Sequence, residues 1–211
     1  MVSVIPSINV PTFEEMQERI KKVEPYVQWC HLDITDGVFS KHLTWHNPAD
    51  LILLRTELKA EAHLMVVEPE KVIGQWFLEP VKRVIVHLEA AKDMNFIIQK
   101  CREAGIEIGI AINPETFWGK LQPWYGKVDL FQILAVKPGP SGQKMGEETV
   151  VKIEHLRKKC PRCIIEIDGG VNPETAEKAT KAGAQLLVAG AYIFNNQDPA
   201  MAIEELKNSA N

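Results

Sequence analysis

Eight apolar runs of β character recur along these 211 residues, separated by amphipathic or turn-rich segments. The strand-like runs are Val2–Ser7, Val27–Thr35, Ala60–Val66, Arg83–Leu88, Gly105–Ile112, Leu130–Val136, Cys163–Asp168 and Leu186–Ala189. They are nearly continuous in apolar residues, which is the pattern of strands buried on both faces of a parallel sheet. Between them, Phe13–Val23, Phe96–Ala104, Glu147–Lys159 and Pro173–Ala182 carry apolar residues at helical spacing. Strand followed by helix, eight times in a chain of this length, predicts an α/β protein: a (β/α)8 TIM barrel occupying 1–211 as one domain. The rival is an open, doubly wound sheet, but no G-x-G-x-x-G follows the first strand.

Local signals agree with this division. Thr12-Phe13-Glu14-Glu15 reads as a capping box. Asn113-Pro114-Glu115-Thr116 and Asn172-Pro173-Glu174-Thr175 repeat one device, proline at the first helical position with glutamate beside the positive helix end. Ala104-Gly105 and Ala182-Gly183-Ala184 mark helix ends.

A net charge of −4 argues against a nucleic-acid binder, which needs a basic face to release phosphate counterions. No run approaches the ~18 apolar residues of a membrane span. Met1 to Val10 lacks the basic start and apolar stretch of a secretory signal. The expected setting is the reducing cytoplasm. Cys160 and Cys163 form a C-x-x-C, but no second pair completes a zinc ribbon. They precede a strand rather than a helix, so they receive no redox role.

The chemistry gathers at strand ends. His31 and Asp33, two apart on a strand, share one face roughly 6–7 Å apart. His63 and Asp168 end two further runs. In a barrel these ends converge over one mouth. Two imidazoles and two carboxylates there would hold one divalent ion such as zinc, iron, manganese or cobalt. That ion would polarise a carbonyl while the carboxylates move protons. Ser7 ends the first strand beside them. His87 reads as a hydrogen-bonded core residue; His42, His46 and His155 need no role; Asp36 braces its turn.

Three glycine-rich turns follow the last three strands: Gly139-Pro140-Ser141-Gly142, Gly169-Gly170 and Gly190-Ala191. Glycines let backbone amides approach an anion, and this rim is the usual phosphate site of such barrels.

These segments resemble the ribulose-phosphate 3-epimerase family over nearly the whole chain. His31-Leu32-Asp33-Ile34-Thr35-Asp36-Gly37 resembles its H-x-D-x-M-D-G signature, and His63-Leu64-Met65-Val66 its H-x-M-V strand. Val136-Lys137-Pro138-Gly139-Pro140-Ser141-Gly142-Gln143 resembles its V-x-P-G-x-x-G-Q loop. Ile167-Asp168-Gly169-Gly170-Val171 resembles its V-D-G-G-I turn. The resemblance implies one metal on His31, Asp33, His63 and Asp168. Asp33 and Asp168 would be the two acid/base groups. Ser7, His63 and Met65 would meet the substrate, and the glycine turns its phosphate.

The chain departs from the family at several places. Thr35 and Leu134 stand where methionines are usual, and Phe39-Ser40-Lys41-His42 replaces F-V-P-N. Pro140-Ser141 replaces Phe-Gly, and Ala191 replaces a common serine.

The implied reaction inverts carbon 3 of D-ribulose 5-phosphate to D-xylulose 5-phosphate, a pentose phosphate pathway step, by two-base proton transfer through an enediolate. Allulose 6-phosphate is the six-carbon alternative, and a non-catalytic phosphate-binding barrel is another. Lyase and decarboxylase barrels carry D-x-K-x-x-D on strand three, and no lysine stands there. The expected partners are a small sugar phosphate and further copies of this chain.

Overall fold

The computed structural model describes residues 2–210. Eight parallel strands close into a barrel in sequence order. They are β1 (Ser3–Ile8), β2 (Trp29–Thr35), β3 (Lys59–Met65), β4 (Val81–His87), β5 (Glu107–Ile112), β6 (Leu130–Leu134), β7 (Ile164–Asp168) and β8 (Leu186–Ala189). β8 pairs back onto β1, with Ser3 opposite Leu186 and Pro6 opposite Ala189. Each strand thus has two hydrogen-bonded neighbours and no free edge.

The helices are α1 (Phe13–Val23), α2 (Met94–Ala104), α3 (Glu148–Lys159), α4 (Pro173–Ala182), α5 (Ala191–Phe194) and α6 (Pro199–Ser209). In α1, Met16, Ile20 and Val23 recur at helical spacing and are buried against the sheet. Truncating Ile20, 1% exposed, would cost about 2–5 kcal/mol. Thr12 Oγ1 accepts from Glu15 N at that helix's start, and Gly105 and Gly183 end α2 and α4 in the left-handed conformation.

Three of the eight expected helices are absent. β2, β3 and β5 are followed by short 3-10 turns, at Pro48–Leu53, at Pro69–Lys71 with Ile73–Trp76, and at Trp118–Trp124. Prolines open the first two, and Pro123 inside the last removes a backbone donor, so none extends into an α-helix. The second Asn-Pro-Glu-Thr caps α4, with Asn172 accepting from Thr175 N and Thr175 Oγ1 accepting from Asn172 N. The first starts no helix. Its Asn113 N donates to Glu89, and Lys152 Nζ donates to the carbonyls of Asn113, Pro114 and Thr116, which holds the segment as a turn.

The main core lies between sheet and helices. A smaller cluster of Ile85, Ala111 and Leu130, with Leu186 against it, forms a separate packing unit. A Cβ at Gly109 would sit 2.8 Å from Leu130 Cδ1 and 3.0 Å from Ile85 Cγ1, so glycine is needed to fit this packing. Cys160 and Cys163 are joined as a disulfide in the turn leading into β7, at the opposite end of that strand from Asp168. Among the described residues no helix is long and apolar enough to cross a membrane.

Candidate active site and metal centre

Strand register brings the four candidate ligands together. Asp33 pairs with His63 across β2 and β3, and Asp168 comes over from β7. One ligand atom from each of His31, Asp33, His63 and Asp168 lies within 4.8 Å of the others. His31 Nε2 is 3.3 Å from Asp33 Oδ1 and 3.7 Å from Asp168 Oδ2. His63 Nδ1 is 3.4 Å from each of the same two oxygens. The imidazoles are fully buried, and the carboxylates are nearly so.

The surroundings set which nitrogen of each ring faces inward. His31 Nδ1–H donates to Glu61 Oε1 at 2.7 Å, which turns Nε2 toward the carboxylates. Glu61 is held in turn by Arg83 Nη1 at 2.7 Å, and Arg83 reaches on to Glu107 Oε2. The Arg83 guanidinium lies over the Trp29 ring. His63 Nε2 meets His87 Nε2 at 2.9 Å, and His87 Nδ1 meets Glu89 Oε2 at 3.3 Å. Burial pushes His87 down to about 4, so it stays neutral and accepts from His63 Nε2–H, leaving His63 Nδ1 toward the carboxylates. Each candidate ligand ring therefore donates its outer N–H to a fixed partner, the arrangement found around metal-binding histidines.

Charge is concentrated here. Burial alone would depress His31, but the Asp33 carboxylate beside it and the hydrogen bond to Glu61 outweigh it and hold the ring well above the usual histidine range. Burial would raise Asp33; the His31 and His63 imidazoles beside it outweigh that and hold the carboxyl below its usual range. Asp33 Oδ2 accepts from Ser7 Oγ at 2.7 Å, while its buried Oδ1 has no hydrogen-bond partner. An orphaned carboxylate oxygen facing two imidazole nitrogens fits a divalent cation, which would satisfy it and displace the inner ring protons.

Above these groups opens a cavity of about 790 Å³. Ser7, Asp33 and Asp168 line its floor with Met65 and Leu134. Gly139 to Gly142, Gly169, Gly170, Gly190 and Ala191 line its rim. His63 lies buried beneath and does not line it. Gly170 has φ +69, and a Cβ there would fall 2.2 Å from Met145 N, so the β7 turn and the loop after β6 approach backbone to backbone. Lys137, Lys144 and Lys178 also line the cavity, and no arginine does among the described residues.

Thr35 is buried away from the cavity, its amide donating to Thr44 Oγ1 at 2.9 Å. Asp36 braces its turn as expected, accepting from Val38, Phe39 and Val67 amides. His87, read from the sequence as a core residue, is the partner of His63; Glu61, Arg83 and Gln132, which donates to Asp168 Oδ2 at 3.2 Å, went unremarked. For Glu61 and Arg83 the signal is alternation: Glu61 with His63, and Arg83 with His87, share strand faces inside otherwise apolar runs.

Comparisons with known proteins show the family. The chain is 36% identical to the chloroplastic ribulose-5-phosphate-3-epimerase of Arabidopsis thaliana, over 99% of this chain and 77% of that protein. It is 33% identical to the ribulose-phosphate 3-epimerase of Bacillus subtilis, covering 99% of this chain and all of that one. A solved 3-hexulose-6-phosphate synthase superposes with a TM-score of 0.74 over 99% of this chain and 100% of that one, at 18% identity, a likeness of fold alone. Residues 3–194 match the profile of the ribulose-phosphate 3 epimerase family. The chain belongs to that family and is an epimerase.

Proposed function

We propose that this epimerase inverts carbon 3 of a ketose phosphate, D-ribulose 5-phosphate to D-xylulose 5-phosphate, one carboxylate removing the carbon-3 proton and a second delivering a proton to the opposite face. The observation that carries this is the pairing of Asp33 and Asp168 at the floor of one cavity, each beside the same two buried imidazoles.

His31, Asp33, His63 and Asp168 would hold one zinc, iron, manganese or cobalt ion. When bound, the ion supplies the positive charge that offsets the charge developing on the ketone oxygen as carbon 3 loses its proton. Asp33 takes that proton on one face, and an enediolate results. Asp168, protonated at the start of this step, delivers its proton to the other face and is left ionised, and in the reverse reaction the two exchange roles. Ser7 and Gln132 orient the carboxylates by donating to Asp33 and Asp168. The glycine rim with Lys137, Lys144 and Lys178 receives the phosphate.

The proposed setting is the cytoplasm and the proposed assembly a homo-oligomer, to be read by sedimentation. Exposed Ile52 and Leu53 on the turn after β2 support an apolar contact between copies. The deciding experiment is an epimerase assay on ribulose 5-phosphate and allulose 6-phosphate, with each of the four metals. Turnover of the five-carbon ester by several orders of magnitude over the metal-free protein is expected; no turnover of either ester with any metal would overturn the reading.

A further inference from the structure

Asn9 stands just past the end of β1, half-buried, on the wall of the cavity. Its side chain joins three separate segments. Asn9 Nδ2 donates to Asp33 Oδ2 at 3.2 Å and to the Gly139 carbonyl at 3.3 Å. His42 Nε2 lies 2.8 Å from Asn9 Oδ1. Only one assignment satisfies all three partners. The carboxylate and the carbonyl are acceptors, so they require the NH2 end, and Oδ1 then accepts from His42 Nε2–H.

We infer that Asn9, held by His42, is a positioning residue that ties the orientation of the Asp33 carboxylate to the placement of the loop after β6. Two donors, Ser7 Oγ and Asn9 Nδ2, converge on Asp33 Oδ2 and fix the plane of the carboxylate, which keeps Oδ1 toward His31 and His63. The same amide grips Gly139, where the backbone has φ +154 and offers little resistance of its own. When that loop moves away, Asn9 loses one acceptor and Asp33 loses part of its support. The base is then fully aligned only while the loop is seated over the cavity. His42 occupies the segment where Phe39-Ser40-Lys41-His42 departs from the F-V-P-N of the family resemblance, so the Asn9–His42 pair is a device of this chain's own residues.

This inference rests on the two-base reading above, and one set of variants separates the two. Asn9→Ala is expected to lower kcat by on the order of 10²-fold with metal content unchanged, and His42→Ala by about tenfold. His42→Gln, whose amide can donate from nearly the same place, is expected to restore most of that loss. The primary deuterium isotope effect at carbon 3 should rise only for the epimer whose proton faces Asp33. A general loss of structure would not produce that asymmetry. Hydrogen exchange of 137–145, measured without substrate, should accelerate in both alanine variants. Should Asn9→Ala fail to fold, His42→Ala on its half-exposed loop carries the same test. Unchanged loop exchange and an unchanged isotope effect in His42→Ala would overturn the inference. Native protein with no epimerase activity would overturn the reaction instead, and loop exchange would still report on the clamp.

Discussion

On the β2–β4 side of the barrel mouth the site is made of side chains. His31, His63, His87, Glu61 and Arg83 are all buried, and the outer ring nitrogens and the Glu61 carboxylate each have a fixed partner. On the β6–β8 side it is made of backbone: Gly142, Gly169 and Gly170 take positive φ and surround a roomy cavity. The first region must hold charge in a low-dielectric interior, where any unpaired group is costly, so its geometry is over-determined. The second must admit an anion and release it, so it keeps main-chain donors close to solvent and free of bulk. Precision and access are thus assigned to different strands of one mouth.

The largest effect should come from emptying the side-chain region. Dialysis against a chelator is expected to remove about one divalent ion per chain and abolish turnover, with recovery on adding back metal. Full activity in protein shown metal-free by elemental analysis would break the contrast at its root. Asp33→Asn and Asp168→Asn should each lower turnover by on the order of 10²–10⁴-fold. Loss of either base blocks net epimerisation in both directions. Deuterium from solvent should still enter carbon 3 of the one epimer whose proton faces the remaining aspartate. Wild-type turnover in either variant would refute the two-base scheme.

The backbone region is probed by the substrate. Free ribulose should fall by on the order of 10³-fold in kcat/KM relative to its phosphate ester, in turnover as well as affinity. Gly190→Ala makes a graded test, because the atoms nearest a Cβ there are those of Ser7, at 3.4 Å or more. It should weaken phosphate esters and leave metal content intact. Equal efficiency on ribulose and ribulose 5-phosphate would reduce these glycines to turn-formers.

The smallest effect concerns His87. His87→Gln should weaken metal affinity by about 10–100-fold through the loosened His63. It should also change acid stability. The folded value of about 4 lies below the usual 6.5, so between them the unfolded chain binds more protons. The contribution is therefore complete above about 6.5 and is lost as pH falls toward 4, by about 3 kcal/mol. Denaturant midpoints measured at pH 7 and 4.5 should draw closer together in the variant. Unchanged metal affinity would show that the stacked His63–His87 pair is packing only.

The barrel was legible in the sequence because hydrophobic periodicity is a local property. α1 and α4 begin and end where the spacing and caps place them, at Phe13–Val23 and Pro173–Ala182. The missing helices were not legible, because Asn113-Pro114-Glu115-Thr116 carries the same local signal as Asn172-Pro173-Glu174-Thr175. What separates them is Lys152, 36 or more residues away, which takes up the carbonyls a helix would have used. His87 is the hydrogen-bonded core residue its strand implies, but its partner was not legible for a similar reason. A histidine on an apolar strand looks the same from its neighbours whether it faces packing atoms or another imidazole.

The amino-acid order by itself determined the strand count, the family and the four residues at the strand ends, since each is written in short-range pattern and residue type. Tertiary structure alone decided which ring nitrogen faces the carboxylates, which oxygen of Asp33 is left without a partner, and how Asn9 meets both Asp33 and Gly139. Those are outcomes of closure: only when the ends of β1, β2 and β6 share one mouth can groups as far apart in sequence as Asn9 and Gly139 hydrogen-bond to each other.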